Sequence, residues 1–106
     1  MLIQINTDDN IHHSDALKES IRTIVKSALD HFADQLTRVE IHLSDENSNK
    51  KSGGVDMRCL LAARLAGFQP VAVTDVSATV EQAVEGSVRK MRRSLEGMLG
   101  RLNSSR

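Results

Sequence analysis

The stretch SVRKMRRSLEGML, Ser87 to Leu99, concentrates positive charge in a chain that is formally neutral. Residues 1–49 hold four basic and nine acidic side chains, whereas residues 77–106 hold six basic and three acidic ones. Basic side chains on an exposed helical face bind phosphates through charge and through the release of counterions. A neutral chain with one basic part can therefore hold a polyanion. The basic cluster consists of Arg89, Lys90, Arg92 and Arg93.

The alternative for this cluster is a solvated helix face whose cations favour the negative end of the helix dipole. The nearest acids on the same helix are Glu85 and Glu96, so we expect few of the four charges to be neutralised locally.

A second basic group lies earlier in the chain, where Lys18, Arg22 and Lys26 recur every four residues and therefore share one flank of a helix. These residues either extend the basic surface across the neighbouring helix or form a solvated, ion-paired flank. Asp15, Glu19 and Asp30 are available as partners in the second case. On a strand further along, Arg58 and Arg64 are expected on the outer face of the sheet, where RNA contact and simple exposure are both open.

Hydrophobic periodicity predicts the elements that hold these groups. Alternation indicates strands over 2–6, 37–44, 55–66 and 69–76, and a 3.6-residue period indicates helices over about 15–32 and from about 78 onwards. Ser14 or Asp15 is expected to cap the first helix, and Ser77 or Thr79 the second. The polar run 45–54 is predicted to be a mobile hairpin loop.

The order β-α-β-β-β-α predicts an α+β fold, with a four-stranded sheet and both helices packed on one face of it. The last three strands are expected to form an antiparallel meander. We expect a single domain over residues 1–102 and a polar tail over 103–106. On the second helix, Gly86 is predicted to share the outer face with Arg89, Lys90 and Arg93, where a glycine would let an RNA backbone approach closely.

Other chemistry is poorly supported by the residues. No nucleophilic triad, phosphate-binding glycine loop or dinucleotide motif occurs, and the adjacent His12 and His13 lack the cysteine partners of a zinc site. Cys59 is expected to be a small buried hydrophobe. We therefore predict no enzyme activity, no metal, no cofactor and no small-molecule substrate.

The sequence also predicts a cytoplasmic protein. No apolar run is long enough to cross a membrane, the first residues do not resemble a signal peptide, and the single cysteine suits a reducing cytoplasm. Two Phe and no Trp or Tyr argue against stacking of bases on rings as the main binding mode.

The chain resembles the short ribosome hibernation factors, the family of the ribosome-associated inhibitor and the hibernation promoting factor. The resemblance covers nearly all of residues 1–102. It rests on the strand LIQIN, the helix start DALKESI, Phe32 at the end of that helix, and the order of elements ending in a basic helix.

This resemblance implies a fold similar to a double-stranded RNA-binding domain with an added first strand. It also implies a non-enzymatic protein that binds ribosomal RNA of the small subunit and occludes the mRNA and tRNA channel during stress. Lys18, Lys90 and Arg93 match basic positions of the family.

The sequence also departs from the family pattern. Thr79, Val80 and Glu81 stand where the family has Asp-Met-Tyr, and the basic surface is thinner. The alternative function is therefore a protein-binding module of the same fold that has lost RNA binding. The predicted RNA-binding residues are Lys18, Arg22, Lys26, Arg89, Lys90, Arg92 and Arg93.

Overall fold

The computed structural model describes residues 1–8, 11, 14–45 and 56–104. Most of the predicted hairpin loop, together with His12 and His13, lies outside these residues. The elements follow the predicted order: β1 (Leu2–Thr7), α1 (Asp15–Leu29), a short 3-10 helix (Asp30–Phe32), β2 (Leu36–Asp45), β3 (Met57–Leu65), β4 (Val71–Ser77) and α2 (Val80–Ser104). Helix α2 thus continues into the segment expected to be a polar tail.

The four strands form one mixed sheet in the order β1-β2-β3-β4. Strands β2, β3 and β4 are antiparallel neighbours, which confirms the predicted meander. Strand β1 pairs with β2 in parallel, with Ile3 opposite Val39 and Ile5 opposite Ile41. A parallel pair needs a long crossover, and α1 provides it.

One face of the sheet and one side of each helix share a single core. Every second residue of the central strands is buried against the helices, and the apolar stripes of α1 and α2 close the core from above. This arrangement confirms the α+β prediction with two helices on one face. The fully buried side chains include Ile21, Val25, Leu29, Val39, Ile41, Cys59, Leu61, Val84, Met91 and Leu95.

Strand β2 contains an irregularity near its start. The pairing runs from Leu36 opposite Leu65 to Arg38 opposite Arg64, so β2 has one residue more than β3 over this step. A β-bulge of this kind adds an unpaired residue and bends the strand. It lets Leu36 and Val39, three positions apart, both enter the core.

Side-chain caps fix the start of each helix. The Leu17 N–H donates to Ser14 Oγ at 3.0 Å, and the Gln82 N–H donates to Thr79 Oγ1 at 3.1 Å. Among the sequence alternatives, Ser14 and Thr79 are therefore the N-caps. Within the described residues, neither helix combines the length and the apolar character that a bilayer crossing requires.

Candidate nucleic-acid interface

The exposed side of α2 carries two cations that keep their charge available. Arg89 and Arg93 are one helical turn apart, so their side chains share a face, and both are exposed. Within the described part of the chain, neither guanidinium forms an ion pair with a carboxylate. Their position suits contact with phosphates outside the molecule.

Lys90 points in a different direction. Its ammonium lies 3.0 Å from Asp75 Oδ1 and donates a hydrogen bond to the Thr74 carbonyl oxygen at 2.7 Å. The Lys90 side chain is 51% exposed and the Asp75 side chain 19% exposed. Lys90 is the member of the cluster with a close acidic partner, and that partner comes from β4 and not from α2, where the sequence offered Glu85 and Glu96.

Asp75 is held in its ionised form by this contact. Burial alone would raise the pKa of the Asp75 carboxyl. Hydrogen bonds from Lys90 and Ser77, together with the charges of Lys90 and Arg89, outweigh burial and bring that pKa below its ordinary value. The Ser77 hydroxyl donates to Asp75 Oδ2 at 2.9 Å. The carboxylate therefore anchors β4 to α2.

Gly86 belongs to the same contact, which corrects its predicted place on the outer face. It is buried, and a Cβ added there would lie 2.2 Å from Asp75 Oδ2 and 2.5 Å from Asp75 Cγ. Its lack of a side chain makes room for the Asp75 carboxylate and not for an RNA backbone.

Arg92 has a weak partner. Its guanidinium lies 3.9 Å from Glu96 Oε1 one turn further along, and both side chains are about half exposed. Exposed pairs of this kind are worth about 0–1 kcal/mol. Arg92 therefore retains much of its attraction for an external anion, although less than Arg93.

On the basic flank of α1, formed by Lys18, Arg22 and Lys26, one residue is ion-paired and two are open to a ligand. Arg22 donates to Glu19 at 2.8 Å, as an ion-paired flank would. Lys26 is exposed and Lys18 half-buried, and neither forms an ion pair within the described residues. Lys18 and Lys26 are the members of this group whose charge is open to a ligand.

The core contains one polar contact that the helical pattern did not predict. Ser87 is fully buried, and its hydroxyl donates to the Val84 carbonyl oxygen at 2.9 Å. The Cys59 Sγ lies 3.1 Å from Ser87 Oγ, so the thiol is the donor of that hydrogen bond. Cys59 is fully buried, which confirms its predicted core position, and burial raises the pKa of its thiol.

Nothing in the described part of the chain gathers metal ligands. No group of three or more His, Cys, Asp or Glu side chains comes together there. His31 is exposed, and its ring contacts the Phe32 ring edge to face. On the open face of the sheet, His42 Nε2 lies 3.7 Å from Glu40 Oε2.

Asp75 is the functional neighbour that sequence reasoning missed. The alternation of β4 contained a signal, because Val71, Val73 and Asp75 fall on the core-facing side at every second position. A carboxylate at an inward position requires a partner. The pattern could not identify which cation supplies it.

The family model described as sigma 54 modulation protein / S30EA ribosomal protein matches residues 3–103. A search of curated protein sequences finds no match.

Two solved structures share the fold. The Thermus thermophilus Protein Y N-terminal domain superposes with a TM-score of 0.74 at 18% identity, covering 92% of this chain and 99% of that one. A ribosomal subunit interface protein from Coxiella burnetii superposes with a TM-score of 0.74 at 15% identity, covering 94% and 99%.

Proposed function

The chain belongs to the sigma 54 modulation protein / S30EA ribosomal protein family, and from this premise we propose that it is a ribosome-associated hibernation factor. It binds ribosomal RNA of the small subunit in the cytoplasm and acts by occupancy, not by catalysis. The bound protein occludes the channel that mRNA and tRNA use, and so inhibits translation under stress.

One observation carries this proposal: Arg89 and Arg93 lie exposed on one side of α2 and form no ion pair in the described part of the chain, although Arg89 acts on the Asp75 carboxylate at longer range. Cations that repel each other and lack internal partners gain free energy when phosphates replace water and counterions around them. Membership of the S30EA ribosomal protein family supports a ligand on the ribosome.

Exposure and ion pairing let us order the predicted RNA-binding residues by the contribution we expect of each. Arg89, Arg93 and Lys26 are exposed and free of ion pairs within the described residues, so we expect them to contribute most. Arg92 and Arg22 must share their charge with Glu96 and Glu19, and we place them second. Lys18 remains a candidate of intermediate exposure, and Lys90 is expected to act chiefly through Asp75.

The test is binding to purified small ribosomal subunits over a series of salt concentrations. R93Q and R92Q form a matched pair, because both change an exposed arginine of α2. Arg93 shares the face of Arg89, whereas Arg92 projects about 100° away from Arg93 and lies 3.9 Å from Glu96. We expect R93Q to weaken binding more than R92Q and to lower the slope of log K against log salt by about 1. R89Q/R93Q should lower it by about twice that amount.

Binding of the double variant that equals wild type at every salt concentration would contradict the proposal. Recovery of a protein partner without ribosomal RNA would favour the alternative, a protein-binding module of the same fold.

A further inference from the structure

The open face of the sheet, opposite the helices, carries a pair of arginines that is separate from the basic residues of α1 and α2. Arg38 on β2 lies directly opposite Arg64 on β3, and both side chains are exposed. Like charges directly opposite each other on neighbouring strands destabilise a sheet. The Arg38–Arg64 repulsion therefore lowers the free energy of unfolding, and neither exposed side chain offsets this loss by packing in the core.

The available acid does not balance the two arginines. Arg38 lies 2.9 Å from Glu40 Oε1 and also donates to the Gln4 side-chain oxygen, while Glu40 Oε2 is 3.7 Å from His42 Nε2. The Arg64 guanidinium has no ion pair or side-chain hydrogen bond with any residue the structure describes, while its backbone carbonyl accepts from Thr37 Oγ1 at 3.1 Å. One full positive charge is left facing outward.

The surface around this charge is shaped to admit a ligand. Both arginines line a recess of about 100 Å³. A groove continues from Arg64 to Phe68 in the turn between β3 and β4, and the Phe68 ring is 39% exposed. The β-bulge of β2 lies at the edge of this region, and bulges often redirect side chains next to binding sites. The recess is lined by Arg38, Glu40, Ala62, Ala63, Arg64 and Pro70.

We propose that Arg38, Arg64 and Phe68 form a second RNA-contact surface that takes a single-stranded segment of RNA. A phosphate lies between the two guanidinium groups, where it relieves their repulsion, and a neighbouring base stacks on the Phe68 ring. The proposal rests on RNA being the ligand of the helix face. It adds that the protein contacts two RNA segments at once, one on each side of the sheet.

The test compares stability with binding for Arg64→Thr. Threonine suits a strand and removes the like-charge contact, so the melting temperature should stay the same or rise. Binding to purified small ribosomal subunits should weaken about threefold or more, and the salt slope should fall by about 0.7, as expected for one lost contact to single-stranded RNA. Arg58→Thr is the matched control, since Arg58 lies on the same strand and the same face but outside the recess.

A photo-crosslinking benzophenone side chain at position 68 identifies the occupant, and crosslinks to RNA are the expected result. If R64T binds like wild type while R89Q/R93Q binds weakly, this proposal fails and the proposed function stands. If wild type does not bind the subunits, both fail. A lowered melting temperature for R64T, or crosslinks to protein alone, also overturns the second surface.

Discussion

Replacement of Gly86 by alanine should destabilise the protein, against the usual trend for helices. In an exposed helix interior, glycine to alanine gains about 1 kcal/mol. Here the added methyl group would lie 2.2–2.9 Å from three atoms of the Asp75 carboxylate. The side chain of Asp75 must rotate away, and its contacts with α2 are lost.

The size of the effect follows from those contacts. Asp75 accepts from the Ser77 hydroxyl at 2.9 Å and from the Lys90 ammonium at 3.0 Å. Hydrogen bonds to charged groups are worth about 1.5–3 kcal/mol, and the half-exposed position of Lys90 puts its share at the low end. We therefore expect the lost Asp75 contacts to cost about 2–3 kcal/mol. Because alanine gains about 1 kcal/mol in helix propensity, the free energy of unfolding of Gly86→Ala should be about 1–2 kcal/mol below that of wild type.

Urea unfolding followed by circular dichroism measures this difference in the free energy of unfolding. In a thermal scan, the melting temperature should fall by about 5–10 °C. The matched control is the same substitution in an Asp75→Ala background. There the obstruction is absent, so Gly86→Ala should stabilise the protein by about 0.5–1 kcal/mol. If Gly86→Ala stabilises the otherwise unchanged protein by about 1 kcal/mol, the Asp75 contact is not as described.

Three further predictions test neighbouring features. Asp75→Asn should lower the melting temperature at neutral pH, and its difference from wild type should shrink as the pH falls below 3.8, the ordinary pKa, because the carboxylate stabilises only while ionised; an equal difference at pH 7 and pH 3 would contradict this. Cys59 should react with a thiol reagent at pH 8 only when urea unfolds the protein, since the buried thiol has a raised pKa; rapid labelling of the native protein would refute it. Thr79→Ala should cost about 1 kcal/mol in urea unfolding through loss of the bond from the Gln82 N–H, whereas Thr79→Ser should cost little; equal stability of all three proteins would argue against the cap.

The sequence predicted the elements well because each is amphipathic in its own period. Alternation in TRVEIHLS indicated β2, and the buried Val39, Ile41 and Leu43 confirm it. The apolar stripe that begins at Leu17 and ends at Phe32 likewise predicted α1, whose last turn is a separate 3-10 helix. The extra residue in β2 was not predicted, since alternation alone does not show where a strand gains a residue.

The candidate site was predicted less completely. A helical wheel places Gly86 opposite the apolar stripe of α2, yet β4 packs against that flank and buries it. Asp75 and Lys90 are fifteen positions apart, and their meeting depends on how an edge strand lies beside a helix. Hydrophobic periodicity describes one element at a time, so it does not predict which residues of two different elements come into contact.

The parallel pairing of β1 has a consequence for how the chain folds. Ile3 must find Val39 across the whole of α1, whereas Ala63 meets Val71 through a short turn. Contacts between distant residues form late because closing a long loop costs entropy before it gains any contact. We expect β2, β3 and β4 to assemble first and the first strand to dock last, so its backbone amides should be the earliest in the sheet to exchange with deuterium.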